Sequence, residues 1–204
     1  MPAVGSSLPR KDAWDKVNGK ARYIDDYSFP GMLHVATVRS PVAYGRLKGI
    51  DTSKALSMPG VRRVFTADDI PGRNVNPLVL DDQPFLASGF VRFHGEPVAL
   101  VAADTLEQAC AAAFAVKLDI EPLAPILSIR ESLDPAKPRL YKDDNIFSRY
   151  TIKHGDLEAG FAKAAHIFER EYETPYQEHA YLETQGMIAV PGLEETMTVY
   201  GSMQ

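Results

Sequence analysis

The architecture of the chain is set by Pro97-Val-Ala-Leu-Val-Ala102 and by the run that follows it, Thr105-Leu-Glu-Gln-Ala-Cys-Ala-Ala-Ala-Phe-Ala-Val116. The first run is almost wholly apolar, which is typical of a β-strand covered on both faces. Asp104 or Thr105 can cap a helix in the second run, because their side-chain oxygens accept hydrogen bonds from free helical amides. Lys117–Ile120 then predicts a return to strand. Together these runs predict an α+β fold.

Shorter runs extend this mixed pattern in both directions along the chain. Strands are predicted at Leu33–Arg39, Arg46–Ile50, Val61–Thr66, Arg149–His154, His166–Glu173, Met187–Val190 and Met197–Tyr200. Helices are predicted at Thr52–Ser57, at Ser128–Leu133 and after Gly155-Asp156. The proline-rich stretch Asp68–Phe85 has no clear period, so it predicts a long loop that is functional or covered by a partner.

Composition excludes several classes of protein. With 204 residues, 45% of them hydrophobic and 24% charged, the chain is neither disordered nor fibrous. Its net charge of −5 argues against a nucleic-acid or anionic-membrane partner. No apolar run approaches the roughly 20 residues of a membrane span. Because Met1–Asp15 lacks the apolar core of a secretory signal, we expect a cytoplasmic protein.

The single cysteine, Cys110, excludes an intrachain disulfide and a four-cysteine metal site. On the predicted helix it shares one face with Leu106, Ala109 and Ala113. Free cysteines are among the most buried residues in proteins. We therefore expect Cys110 to be a small buried hydrophobe.

A dense polar cluster occupies the segment Gln177-Glu-His-Ala-Tyr-Leu-Glu183. Three interpretations of it stay open. Glu178, His179 and Glu183 are metal-ligand types, although a second histidine is missing. The carboxylates could instead form an acid–base pair if burial raised the pKa of one of them. Finally, Gln177, Glu178, His179 and Glu183 could form a supporting hydrogen-bond network.

A series of short motifs stands in order along the chain. They are Asp15-Lys-Val-Asn-Gly-Lys-Ala-Arg-Tyr-Ile-Asp-Asp26, Arg39-Ser-Pro41, Met58-Pro-Gly-Val61, Thr66-Ala-Asp-Asp-Ile-Pro71, Gly95-Glu-Pro-Val-Ala99, Gly155-Asp156 with Ala159 and Phe161, and Tyr172 to Glu183. In order and spacing they resemble the molybdenum-binding large subunit of xanthine dehydrogenases and aldehyde oxidases.

The resemblance implies a domain organisation. A flexible arm, 1–15, precedes an α/β-hammerhead domain, 16–122, and a linker, 123–145. The incomplete start of the molybdopterin-binding α+β domain follows at 146–204.

The resemblance also implies an activity and its cofactors. Such enzymes hydroxylate a purine, another heterocycle or an aldehyde with oxygen derived from water. The complete enzyme would hold the molybdopterin cofactor. Its electrons would pass to [2Fe–2S] clusters and FAD on partner domains or subunits.

One cofactor contact is implied within this chain. The family's Ser-Thr-Gln motif matches Ser202-Met203-Gln204, and the family's glutamine amide approaches the apical oxo group of molybdenum. Met203 stands where threonine is usual. With Gln204 as the contact, the residues Gln177, Glu178, His179 and Glu183 become supporting structure rather than metal ligands.

The glycine-rich loop, the substrate-orienting residues and the glutamate base of the family have no match in these 204 residues. We therefore expect the chain to be inactive alone, as a fragment, a truncated gene product or a split subunit that works with the remainder of the molybdenum subunit. The alternative is a non-catalytic binding or assembly module, with Asp68–Phe85 as its contact surface. Apolar edges after about residue 145 favour self-association.

Overall fold

The structure is a computed structural model that describes residues 4–77 and 80–202. Its contacts divide the chain into two compact units. The central unit comprises Met32–Gly155, and the terminal unit comprises the described residues of 1–31 and 156–204. No described helix has the length and apolar character needed to cross a membrane.

Helices and strands alternate along the chain, so the predicted mixed α and β class is confirmed. The helices are α1 Ala13–Val17, α2 Ser53–Leu56, α3 Leu106–Ala115, α4 Ile129–Leu133 and α5 Leu157–Lys163, with 3-10 turns at Ile24–Asp26 and Ala67–Asp69. The strands are β1 His34–Arg39, β2 Gly45–Asp51, β3 Val61–Phe65, β4 Phe90–Val91, β5 Pro97–Ala103, β6 Lys117–Pro122, β7 Gly186–Pro191 and β8 Met197–Ser202.

The central unit is built around β5. This strand pairs antiparallel with β1 on one side and with β3 on the other. A second sheet has the order β4–β2–β6, again with antiparallel pairs. Two apolar clusters form the core of this unit. Val98 packs with Ala87 and Val91 in the cluster beside the second sheet, whereas Val101 packs with Ala112 and Val116 in the cluster beneath α3. Both side chains are fully buried, which confirms the prediction of a strand covered on both faces. Full burial of a valine side chain stabilises a fold by about 1.5–3 kcal/mol.

Helix α3 begins at the predicted cap but buries a different face. The Thr105 hydroxyl accepts from the Gln108 amide at 3.3 Å, and the Thr105 amide donates to Gln108 Oε1 at 3.1 Å. The buried face holds Ala109 and Ala112, with Val116 just after the helix. The prediction that Cys110 is buried is wrong, because the alanine face lets α3 approach the sheet closely and turns the thiol to solvent.

The terminal unit contains the hairpin β7–β8 and helix α5. Antiparallel pairing runs from Gly186↔Ser202 to Pro191↔Met197, which confirms the two strands predicted near the end of the chain. Helix α5 begins after Asp156, whose side chain accepts from the Ala159 amide at 3.0 Å. This cap was also predicted.

Two strand predictions are wrong. Arg149–His154 and His166–Glu173 form neither helix nor strand. Their alternating side chains have no described strand to pair with, and Ile152 and Tyr172 are 95% and 88% exposed. A β-like pattern therefore becomes a strand only where a neighbouring backbone supplies hydrogen bonds.

The predicted bounds 16–122, 123–145 and 146–204 stay predictions, because a family domain and a packing unit need not coincide. In the packing, residues up to 31 join the terminal unit, and residues 123–145 join the central unit.

We expect residues 164–185 to exchange their amide hydrogens at close to unfolded-chain rates, because they form neither helix nor strand. Amides of β5 should exchange only when the central unit unfolds, since both neighbouring strands hold them. Hydrogen-exchange mass spectrometry on the 204-residue chain measures both segments. Equal protection of the two would contradict the structure.

Candidate functional site

The structure does not gather the predicted polar cluster into one network. Glu183 is half-buried, and its Oε1 accepts a hydrogen bond from the Ile24 amide at 3.1 Å. Gln177, Glu178 and His179 are exposed and make no hydrogen bond to other described residues. The predicted cofactor contact, Gln204, lies outside the described residues.

Two interpretations of this cluster can be compared with the geometry. In residues 4–77 and 80–202, no group of three or more His, Cys, Asp or Glu side chains is close enough to hold a metal ion. Glu178, His179 and Glu183 do not form such a group within the described residues, and the metal-site interpretation stays a prediction. The carboxyl of Glu178 is exposed in this chain, whereas an acid–base pair requires a carboxyl whose pKa is raised by burial, so that interpretation also stays a prediction. The supporting network stays a prediction.

The contact made by Glu183 belongs to a packed region that the sequence pattern did not reveal. Ile24 is 9% exposed, and a Cβ added to Gly186 at the start of β7 would lie 3.1 Å from Ile24 Cγ2. The rings of Tyr27 and Phe29 lie 5.4 and 5.3 Å from that of Tyr200 on β8. The only sequence signal for this packing is the motif that ends at Asp26.

A polar groove of about 450 Å³ lies in the central unit, between the proline-rich loop and residues 140–142. Its lining includes Asn74, Asp81, Asp82, Arg92, Tyr141 and Lys142. Asp81 is paired with Arg73. The loop predicted to be functional thus contributes one wall of a groove.

Two asparagine side chains fix the walls of this groove. Asn74 donates to the carbonyl of Leu86 at 2.7 Å, and its Oδ1 accepts from the Leu86 amide at 3.1 Å. Asn145 Oδ1 accepts from the amides of Leu140 and Tyr141 at 2.7 and 3.0 Å. Loop backbone that is bonded in this way keeps its shape without a helix or a strand.

Tyr141 has the most perturbed environment in the groove. The neighbouring Asp82 carboxylate holds the proton on the phenol and, with the loss of hydration, raises the pKa of Tyr141 to about 12. The Tyr141 hydroxyl oxygen is shielded from water, and no described residue forms a well-aligned hydrogen bond with it. A ligand in this groove would therefore meet the neutral phenol of Tyr141 beside the carboxylate of Asp82.

Comparison with known proteins gives two family matches in order along the chain. Residues 18–124 match the model described as "Aldehyde oxidase and xanthine dehydrogenase, a/b hammerhead domain", and residues 140–204 match "Molybdopterin cofactor-binding domain".

Individual relatives agree with these matches. The chain is 39% identical to a probable xanthine dehydrogenase subunit of Bacillus subtilis, over 97% of this chain and 27% of the relative. Among solved structures it is similar to the aldehyde oxidoreductase of Desulfovibrio gigas, with a TM-score of 0.87 and 31% identity over 98% of this chain and 24% of that one. The chain is also similar to the quinoline 2-oxidoreductase of Pseudomonas putida, with a TM-score of 0.87 and 28% identity. That similarity covers 100% of this chain and 27% of the other. The chain therefore spans about a quarter of the length of these relatives.

We expect the Asp82→Asn variant to lower the pKa of Tyr141 from about 12 toward its ordinary value of 10.0, because the change removes the anion that opposes ionisation of the phenol. Ultraviolet difference titration against Tyr141→Phe isolates this group among the nine tyrosines. Asp81→Asn is the matched control and should leave the titration curve unchanged. An unshifted Tyr141 in Asp82→Asn would show that Asp82 is not the cause.

Proposed function

Since the chain belongs to the aldehyde oxidase and xanthine dehydrogenase family, we propose that it is the N-terminal part of the large subunit of a molybdenum hydroxylase. The observation that supports this most directly is the order of the two family matches, hammerhead first and cofactor-binding domain second. The resemblance stated from the motifs is thereby confirmed at the level of the family.

The proposed reaction is the hydroxylation of an electron-poor carbon. Water supplies the oxygen, the carbon–hydrogen bond breaks, and two electrons and two protons leave, so that R–H and H₂O give R–OH. The substrate class is a purine, another nitrogen heterocycle or an aldehyde. Relatives named for xanthine, quinoline and aldehydes support that range. The electrons would continue to [2Fe–2S] clusters and FAD on partner domains or subunits.

The described residues do not by themselves fit the molybdenum–pterin group. They contain no cluster of candidate metal ligands, and the segment that includes Gln177, Glu178 and His179 is exposed. When bound, the cofactor supplies the two-electron oxidation. The contribution that we propose for this chain is the amide of Gln204, two positions after the end of β8 in the sequence. The remainder of the molybdenum subunit would then provide most of the cofactor site.

The exposed polar segment fits the same proposal. Gln177, Glu178 and His179 belong to a family motif yet have no described partner. We propose that the remainder of the subunit covers them and completes the supporting network with Glu183. This chain alone would then be inactive.

A non-catalytic binding module is the second candidate function. The groove between the proline-rich loop and residues 140–142 favours it, because side-chain hydrogen bonds from Asn74 and Asn145 hold its walls in shape. A binding module would use this groove equally well whether or not molybdenum were present.

We expect molybdenum and pterin to co-purify with this chain when it is expressed with the downstream and redox partners of such an enzyme, and to be absent from the chain expressed alone. Elemental analysis and pterin fluorescence measure both. An assembly that forms without molybdenum would overturn the enzyme proposal and favour the binding module.

In that assembly, Gln204→Ala should lower turnover per molybdenum by about 10–100-fold, as is typical when a hydrogen-bond partner around a metal centre is lost. Met203→Thr, which introduces the residue usual in the family, is the control and should keep the wild-type rate. Equal rates in Gln204→Ala and wild type would remove Gln204 from the site.

A further inference from the structure

We propose that Glu183 is a positioning residue, which fastens the segment Arg22–Phe29 across the hairpin β7–β8 and so fixes the strand that leads to Gln204. We call Arg22–Phe29 the clasp. The role of this strand near Gln204 rests on the proposed function. The anchoring of the clasp rests on its own hydrogen bond and packing contacts.

Glu183 supplies what the backbone of the clasp lacks. Ile24 begins a 3-10 turn, and the first amides of such a turn have no partner within it. The Ile24 amide donates instead to Glu183 Oε1 at 3.1 Å, across 159 positions of sequence. A hydrogen bond to a charged acceptor stabilises a structure more than one between two neutral groups. Ile24, at 9% exposure, protects this hydrogen bond from water.

The clasp is held together internally. The Tyr23 amide donates to Asp26 Oδ2 at 2.8 Å, and Arg22 donates to the carbonyl of Asp26 at 2.5 Å. The Arg22 guanidinium also lies 4.3 Å from the centre of the Tyr27 ring. Because these contacts fix the shape of the clasp, anchoring it at Ile24 places its aromatic side chains as well.

The clasp meets both strands of the hairpin at one end. Ile24 lies against Gly186 on β7, where an added Cβ would come within 3.1 Å of Ile24 Cγ2. Tyr27 and Phe29 pack on Tyr200 of β8. Gly186 pairs with Ser202, so this is the end at which β8 leads on to Gln204.

A hairpin of two strands is only marginally stable in water. Tyr200 is half-buried in this structure, with the clasp rings against it. The position of β8 therefore depends on the clasp, and the clasp depends on Glu183. This gives the glutamate of the polar motif a defined role, which its exposed neighbours do not share.

Hydrogen exchange on the full 204-residue chain tests the fastening directly. In Glu183→Ala, protection of the Ile24 amide and of the β7–β8 ladder should fall by about tenfold or more, the equivalent of a lost charged hydrogen bond. Glu183→Gln should retain most of the protection, because its amide oxygen still accepts. Glu173→Ala removes an exposed carboxylate in the same segment and should change nothing.

Unchanged protection in Glu183→Ala would overturn the proposal. So would an equal loss in Glu183→Gln and Glu183→Ala, since the acceptor oxygen would then not be what matters. Neither result depends on any enzymatic activity.

The assembled enzyme tests the positioning. Turnover per molybdenum in Glu183→Ala should fall by about tenfold or more with KM unchanged, as is typical when a hydrogen-bond partner around a metal centre loses its support, while substrate contacts stay intact. Glu183→Gln should restore the rate. A merely structural role would lower the amount of loaded enzyme but not the rate per molybdenum. A wild-type rate per molybdenum, together with an open clasp in exchange, would overturn the positioning role. If no assembly holds molybdenum, the proposed function fails and exchange still decides the clasp.

Discussion

The central unit depends on the burial of β5 from both faces and both edges. Val98 and Val101 point in opposite directions along this strand, so each of the two apolar clusters takes one of them. Ile50 and Leu118 border both clusters and join them. Once β5 lies between β1 and β3, the only surface left for α3 is the face that Val101 presents, and the small residues Ala109 and Ala112 let the helix reach it.

What could be predicted from the sequence follows from this constraint. A strand buried on both faces has an unmistakable apolar run, and Thr105 and Asp156 are helix caps whose chemistry is local. The rotation of α3 is not local, since it is set by the sheet beneath the helix. The apolar pattern therefore assigned Cys110 to the wrong face. The strand predicted at His166–Glu173 is absent for a related reason. A strand needs a neighbouring backbone to pair with, and its own residues do not specify that neighbour.

The candidate site was predicted from its motifs but not from its contacts. Glu183 and Ile24 each belong to a motif that is recognisable in the sequence, yet nothing in either motif indicates that the two residues meet. Their hydrogen bond spans 159 residues, and no periodicity or spacing rule reaches so far. The groove beside Tyr141 was equally hidden, because its walls depend on side-chain bonds from Asn74 and Asn145 rather than on helices or strands.

The N-terminal segment shows why family bounds and packing bounds differ. The hammerhead match begins at residue 18, so common ancestry assigns the clasp to the first domain. Packing assigns it to the unit that holds β7 and β8, because Ile24 is buried against Gly186 and the half-buried Tyr27 packs on Tyr200. A family boundary marks which residues have been inherited together, whereas a packing boundary marks where apolar surface is removed from water. The clasp belongs to the first domain by descent and to the hairpin by packing. The stability of the hairpin therefore depends on residues of the preceding family domain, because the clasp contacts both of its strands.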